Sequence, residues 1–208
     1  MAEKFQPRAT RKSAASQDSN RSLEISEKAR KIFMRHGYRK TTIEDIGKAC
    51  GLGKAALYYY FPSKEAIFAE VVRIESAEML GQVRRAVDAV NDPREKLSVM
   101  IKTRFKLVSD LMTDIIGKDL GEELAELLPM AAKARQQFFD EEADLLRQIL
   151  VAGQSLGVFK KIHSSDVPIL IISAIRGIEL HFAEIQRAPA PEAAIDLMLK
   201  LFFEGLCP

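Results

Sequence analysis

Cysteine is scarce in this chain, with Cys50 and Cys207 the two among 208 residues. Two thiols cannot build a disulfide framework or, by themselves, a four-ligand zinc site. Glycine and proline are also sparse, 11 and 8 residues or about 9% together, against roughly 12% in average usage. That shortage disfavours a turn-rich β-sandwich or barrel and leans toward helices. No uninterrupted apolar run approaches the ~18 residues of a membrane span. The N-terminal residues are polar and lack the apolar core of a signal peptide. Hydrophobic residues, by contrast, make up 47% of the chain, enough for a sizeable core, which excludes wholesale disorder. These limits predict an all-α, cytoplasmic protein of one larger or two small domains, with no metal, cofactor or membrane partner.

The net charge of +2 hides a division. Residues 1–64 carry 14 Lys and Arg against 6 Asp and Glu, a net +8. Residues 65–208 carry 17 against 23, a net −6. A basic head of this density suits a polyanion such as nucleic acid, and it equally suits a solubilising basic tail. Charge alone does not separate the two.

Residues 1–20 show no apolar period and are expected to form a mobile basic tail, in which Lys4, Arg8, Arg11 and Lys12 are available for phosphates. Helical structure is expected from about Ser22, where Ile25, Ala29, Ile32 and Phe33 fall on one face. Gly37 is a natural stop. A second helix opens at Thr42, with Asp45 three residues on in a capping-box pattern, and Gly51 breaks it. A third short helix spans about 54–60 and ends before Pro62. Ser63 can cap a fourth, long helix from Lys64 to about Val90, a strut between two domains. Further helices are expected near 94–112, 118–127, 130–156, 165–187 and 191–205, with Pro129 among the separators. No strand alternation and no solenoid repeat is evident.

Two helices joined by a tight glycine turn describe a helix-turn-helix. The residues carrying it are more specific: Thr41-Thr42-Ile43-Glu44-Asp45-Ile46-Gly47-Lys48-Ala49-Cys50-Gly51-Leu52-Gly53-Lys54-Ala55-Ala56-Leu57-Tyr58-Tyr59-Tyr60-Phe61-Pro62-Ser63-Lys64-Glu65. This stretch strongly resembles the DNA-binding domain of the TetR family of bacterial transcriptional regulators, over roughly residues 22–70. The resemblance implies an N-terminal three-helix DNA-binding domain joined by a long helix to an all-helical domain for ligand binding and dimerisation. The expected divisions are a tail at 1–20, the helix-turn-helix domain at 21–66 and the effector domain at 67–208.

Each motif position has a physical reading. Thr42 caps the second helix, where its hydroxyl or the helix amides could meet a phosphate. Gly53, Lys54, Ala55 and Ala56 open the third helix, the end that faces base edges in a helix-turn-helix. A lysine there can donate to guanine, and a small methyl can touch a thymine methyl. Tyr58 and Tyr59, taken alone, read equally as surface aromatics or phosphate donors; the resemblance implies DNA contact. Lys64 is expected to add a charge-assisted phosphate contact. Tyr60 and Phe61 are assigned to packing. Three positions depart from the family pattern. Gly53 stands where Ser is usual, Ala55 where Gly is frequent, and Gly47 replaces a common alanine and should weaken its helix slightly.

The acidic remainder has no comparable signature. Its last helix is apolar over a stripe too wide for a single core, and the one before it is similarly rich. Ile172, Leu197, Met198, Leu201 and Phe202 are therefore candidates for a twofold interface, which the resemblance also implies and which would set two recognition helices one DNA turn apart. Ordinary core is the alternative. Phe105, Met112, Ile115, Phe138, Phe139 and Arg176 are candidates for an adaptable pocket for a small apolar or amphipathic effector. Arg104, Glu179 and His181 are further polar residues on apolar helices, with Arg176 and Glu179 at ion-pair spacing. The run Asp140-Glu141-Glu142-Ala143-Asp144 reads as a solvated face.

Enzyme chemistry finds no support. His36, His163 and His181 are isolated, and no nucleophile elbow, phosphate loop or two-His metal motif occurs. The expected function is a ligand-responsive repressor that binds a palindromic double-stranded DNA operator as a homodimer. A helical regulator without a small ligand, governed by a protein partner, is the alternative.

Overall fold

A computed structural model describes residues 9–116, 121–161, 165–184 and 192–207, with the side chains of 9–16, 111–126, 180 and 182–184 outside the description. Among the described residues every regular element is an α-helix. No described helix is long and apolar enough to cross a membrane. The chain divides into two compact units, Met1–Val71 and Val72–Pro208, against an expected boundary at 66/67.

The first unit holds α1 (Ala9–His36), α2 (Ile43–Cys50), α3 (Lys54–Tyr60) and the start of α4 (Lys64–Asp88). Helix α1 begins at Ala9, not near Ser22 as expected. No Gly or Pro falls between Ala9 and His36, so nothing in the backbone stops the helix, and an apolar face is not required for one to form. Lys4 and Arg8, and the side chains of Arg11 and Lys12, lie outside the described residues. The helix ends where Gly37 takes φ 78° and donates its amide to the Phe33 carbonyl at 2.8 Å. Ile25, Ala29 and Phe33 of α1 are fully buried with Ile46, Leu57, Ile67 and Phe68. Tyr38, just past the stop, closes this core, its ring 5.5 Å from Phe33 and 5.1 Å from Phe68.

The second unit holds the rest of α4, then α5 (Pro93–Ile116), α6 (Gly121–Ala134), α7 (Gln136–Ser155), α8 (Val167–Glu184) and α9 (Glu192–Leu206). Pro93 opens α5, and Asp92 receives the amides of Arg94 and Glu95 at 2.9 Å each, an aspartate N-cap before a proline that suits the first helical position. Pro129 does not separate two helices as expected; it lies inside α6, where it forfeits one amide donor while its ring-fixed φ remains helical. The break falls at Arg135, with φ −90° and ψ −1°. Helix α7 ends at Ser155, and two residues on Gly157 takes φ 70°; Gly153 gives its bare face to Phe159, whose ring a Cβ at 153 would overlap. The core gathers Leu97, Met100 and Ile101 of α5, Leu146 and Ile149 of α7, Ile172 and Ile175 of α8, and Met198 and Leu199 of α9.

Candidate nucleic-acid interface

The first unit presents its helix-turn-helix through local bonding that its sequence dictates. Thr42 accepts the Asp45 amide at 3.1 Å, and Asp45 accepts the Thr42 amide at 3.0 Å, closing the expected capping box. The Thr42 hydroxyl also donates to Asp45 at 2.7 Å. These bonds hold the Asp45 carboxyl below its usual pKa, the Thr42 hydroxyl contributing most and its amide next. Both donors of Thr42 are thus turned onto its own cap.

The turn between α2 and α3 needs two glycines for different reasons. Gly51 is left-handed, φ 65° and ψ 31°, a conformation favouring glycine. Gly47 is helical, yet a Cβ there would stand 2.8 Å from the Leu52 carbonyl oxygen, because the Leu52 amide closes onto the Gly47 carbonyl at 2.8 Å. The expectation that Gly47 merely weakens α2 is therefore incomplete: it is the contact point of the turn.

Helix α3 starts at Gly53 in extended conformation, without a side-chain cap. Gly53, Lys54, Ala55 and Ala56 are all exposed, while Leu57 is fully buried and Phe61 nearly so. Tyr58 is 43% exposed and Tyr59 72%. Aromatic side chains left this open are a departure from core packing. Tyr60 is half-buried, edge-on to Tyr59 at 5.0 Å. The Lys54 ammonium meets Glu44 of α2 at 2.6 Å, with both side chains largely exposed. That bond raises the Lys54 pKa and lowers that of Glu44.

Lys64 is differently placed. Its ammonium donates to the Tyr38 carbonyl at 2.9 Å and the Thr41 carbonyl at 3.1 Å, and it stands 4.1 Å from the Tyr38 ring centroid. Its charge is thus held by two carbonyls of its own domain. Tyr38 and Glu44 were missed from the sequence. Tyr38 follows a helix stop and has no periodic partner to mark it, and the Glu44–Lys54 pair spans ten residues, beyond any helical spacing rule.

In the second unit, Phe105 and Phe138 are buried and Phe139 half-buried. Met112 and Ile115 have side chains outside the described residues. A groove of about 280 Å³ is lined by Arg147, Leu150, Val151, Gln154, Ser165, Val167 and Pro168, none of them a predicted pocket residue. Of the interface candidates, Leu197 and Leu201 are 58% and 59% exposed, alongside Leu170 at 65%. Phe202 is half-buried against the core. Ile172 at 0% and Met198 at 6% exposure are corrected to core, because side chains already enclosed by their own subunit have no surface for a partner.

Glu142 is a further correction. Asp140, Glu141 and Asp144 are exposed as expected, but Glu142 is 2% exposed. It lies on the stripe of Phe138, Leu146, Ile149 and Gly153, a spacing that could have revealed it. Its Oε2 accepts from Arg104 Nε at 3.0 Å, and Arg104 also donates to Glu179. The Arg176–Glu179 pairing suggested by their spacing does not form in this way; Arg176 instead lies 4.8 Å from the Phe139 ring centroid.

Comparison with known proteins agrees with this geometry. Residues 25–71 match the family model described as bacterial regulatory proteins, tetR family. The HTH-type transcriptional repressor KstR2 of Mycolicibacterium smegmatis is 28% identical over 113 residues, 54% of this chain and 55% of that one. The HTH-type transcriptional repressor AcnR of Corynebacterium glutamicum is 33% identical over 128 residues, 59% of this chain and 67% of that one. A transcriptional regulator from Cytophaga hutchinsonii shares the fold, with a TM-score of 0.71 at 23% identity, covering 89% of this chain and 98% of that one. The chain spans about half the length of the KstR2 proteins it matches. With a helix-turn-helix built by these residues and the AcnR match reaching two thirds of that relative, the chain belongs to the tetR family of bacterial regulatory proteins.

Proposed function

We propose that this protein is a cytoplasmic DNA-binding repressor that recognises a palindromic operator as a homodimer and is released by a small amphipathic effector. The observation that carries the reading is the surface of α3: its first turn is exposed and bears Lys54, Ala55 and Ala56, with Tyr58 and Tyr59 open beside it. A short helix with an exposed N-terminal turn can enter the major groove, and Lys54 can donate there to guanine O6 or N7. The two tyrosine hydroxyls are donors for backbone phosphates. Repression is supported by KstR2 and AcnR, both transcriptional repressors.

Dimerisation is supported by the leucines that the second unit leaves exposed, Leu170 on α8 and Leu197 and Leu201 on α9. Closed twofold pairing would bury them and bring two α3 helices to the spacing of one DNA turn, about 34–36 Å. Helix α4 runs unbroken from Lys64 to Asp88, so a change in the second unit has a continuous backbone path to the first. An effector that favours one position of α4 would shift the population away from the DNA-binding spacing. The test is a binding titration of the full chain against duplexes from its own upstream DNA, with and without candidate effectors. Binding to every duplex at the nonspecific level would refute the regulator reading.

A further inference from the structure

The positive charge of the first unit does not sit on its helix-turn-helix. Residues 41–63, which hold α2, the turn and α3, carry Lys48 and Lys54 against Glu44 and Asp45, a net charge of zero. Residues 28–40 carry six Lys and Arg and no Asp or Glu. They therefore supply 6 of the net +8 found in residues 1–64. Lys28 among them is paired with Glu24 at 2.8 Å, and Arg30 is half-buried. Lys31, Arg35, Arg39 and Lys40 are exposed. Lys31 and Arg35 are four residues apart on α1, a spacing that puts both on one face, and α1 ends at His36.

Lys40 stands on a turn whose backbone is tied down. The Thr41 hydroxyl donates to the Gly37 carbonyl at 2.7 Å and its amide to the Tyr38 carbonyl at 3.2 Å, while Lys64 bridges the Tyr38 and Thr41 carbonyls. A held backbone lowers the ordering cost of any contact Lys40 makes. Lys40 precedes the N-cap Thr42 by two residues and Glu44, the partner of Lys54, by four. Four residues reach at most about 14 Å, and the major groove is about 12 Å wide. A duplex read by α3 therefore has a backbone strand within reach of Lys40. At the N-terminus of α2 itself, the Asp45 carboxylate repels phosphate and both Thr42 donors serve the cap, which leaves the contact to the residues just before it. We propose that Lys40, with Arg35 and Lys31 behind it on α1, binds the phosphate backbone beside the α3 half-site and supplies the larger share of the salt-dependent affinity, whereas α3 supplies base preference. This rests on the DNA-binding reading and assigns its electrostatic part to a surface outside the helix-turn-helix.

The test is fluorescence anisotropy of the full chain on a duplex from its own upstream DNA and on an unrelated duplex, at three salt concentrations, beside a denaturant titration of each variant. The triple variant Lys31→Gln/Arg35→Gln/Lys40→Gln should lower the slope of log affinity against log salt by about 2–3 per subunit, since each lost phosphate contact removes about 0.9. It should weaken both duplexes by the same factor and keep the parental denaturation midpoint. Lys40→Gln alone should lower the slope by about 1. The matched triple Lys133→Gln/Lys160→Gln/Lys161→Gln removes the same charge from exposed positions of the second unit and should keep the parental slope. A parental slope in the first triple, an equal fall in both triples, or a loss confined to one duplex overturns the inference. A parent that binds both duplexes alike, with a slope that the first triple lowers, would refute the operator reading alone. Preference for one duplex with a slope untouched by the first triple would refute this inference alone. A parent that binds neither duplex refutes both.

Discussion

Lys54 and Glu44 form an ion pair of 2.6 Å that links the first turn of α3 to the first turn of α2. The lysine is the only cation of the exposed α3 turn, so its partner governs what DNA meets there. Two of the three ammonium hydrogens remain for bases, while the carboxylate repels phosphates. Glu44→Gln is expected to strengthen binding to all duplexes and to steepen the salt dependence, since a repulsive charge is removed. Lys54→Ala is expected to cost about 1–3 kcal/mol at the preferred site and to relax base preference. Fluorescence anisotropy with several duplexes at three salt concentrations reads both. A Glu44→Gln protein with weaker binding would mean that the carboxylate itself reads a base.

Lys64 is expected to act on stability first. Its ammonium joins two carbonyls and an aromatic face around the Gly37–Thr41 turn. Lys64→Met should destabilise the first unit by about 1–2 kcal/mol in denaturant titration and leave the slope of log affinity against log salt nearly unchanged. A fall of the slope by about 1 without loss of stability would identify Lys64 as a direct phosphate contact.

The two glycines flanking the turn make opposite predictions. Gly47→Ala improves helix propensity by about 1 kcal/mol, yet its Cβ would press on the Leu52 carbonyl at 2.8 Å, and backbone cannot rotate aside. A net loss of about 1–3 kcal/mol is expected. A Cβ at Gly53 meets nothing within 4 Å, so Gly53→Ser should be neutral or stabilising by a few tenths of a kcal/mol. Thermal denaturation of the pair decides; a Gly47→Ala protein as stable as the parent would contradict the turn geometry.

Acid should weaken the α2 cap. The Asp45 carboxyl is held below its usual pKa by the Thr42 hydroxyl first and the Thr42 amide second. A carboxylate with a lower pKa when folded contributes its stability above the unfolded value, about 3.9, and loses it as pH falls through the folded value. Thr42→Ala should therefore destabilise by about 1 kcal/mol at neutral pH, with a difference that shrinks in acid. A carboxyl NMR titration should show Asp45 returning toward its ordinary midpoint in the variant. An unchanged midpoint would contradict the bonding described.

What could be read from the sequence follows a physical division. Caps and stops are local, so Thr42 with Asp45, Gly37, Gly51 and the bounds of α3 were all legible. The start of α1 was not, because helix propensity without an apolar face leaves no periodic mark. Pro129 misled, because one lost amide bond does not end a helix. At the candidate site, exposure on α3 followed from the apolar spacing of Leu57 and Phe61. The partners of Lys54 and Lys64 did not, since each lies ten or more residues away across a turn. Glu142 was hidden in an acidic run whose neighbours do face solvent, and the α6–α7 break at Arg135 is announced by no Gly or Pro.

The central claim, that α3 of this chain reads an operator, is tested most directly by footprinting the full chain on its own upstream DNA beside Lys54→Ala. The account predicts a protected palindrome with half-sites about 10 base pairs apart, centre to centre, lost or relaxed in the variant. Uniform, salt-labile coverage without a footprint, identical for parent and variant, would contradict it.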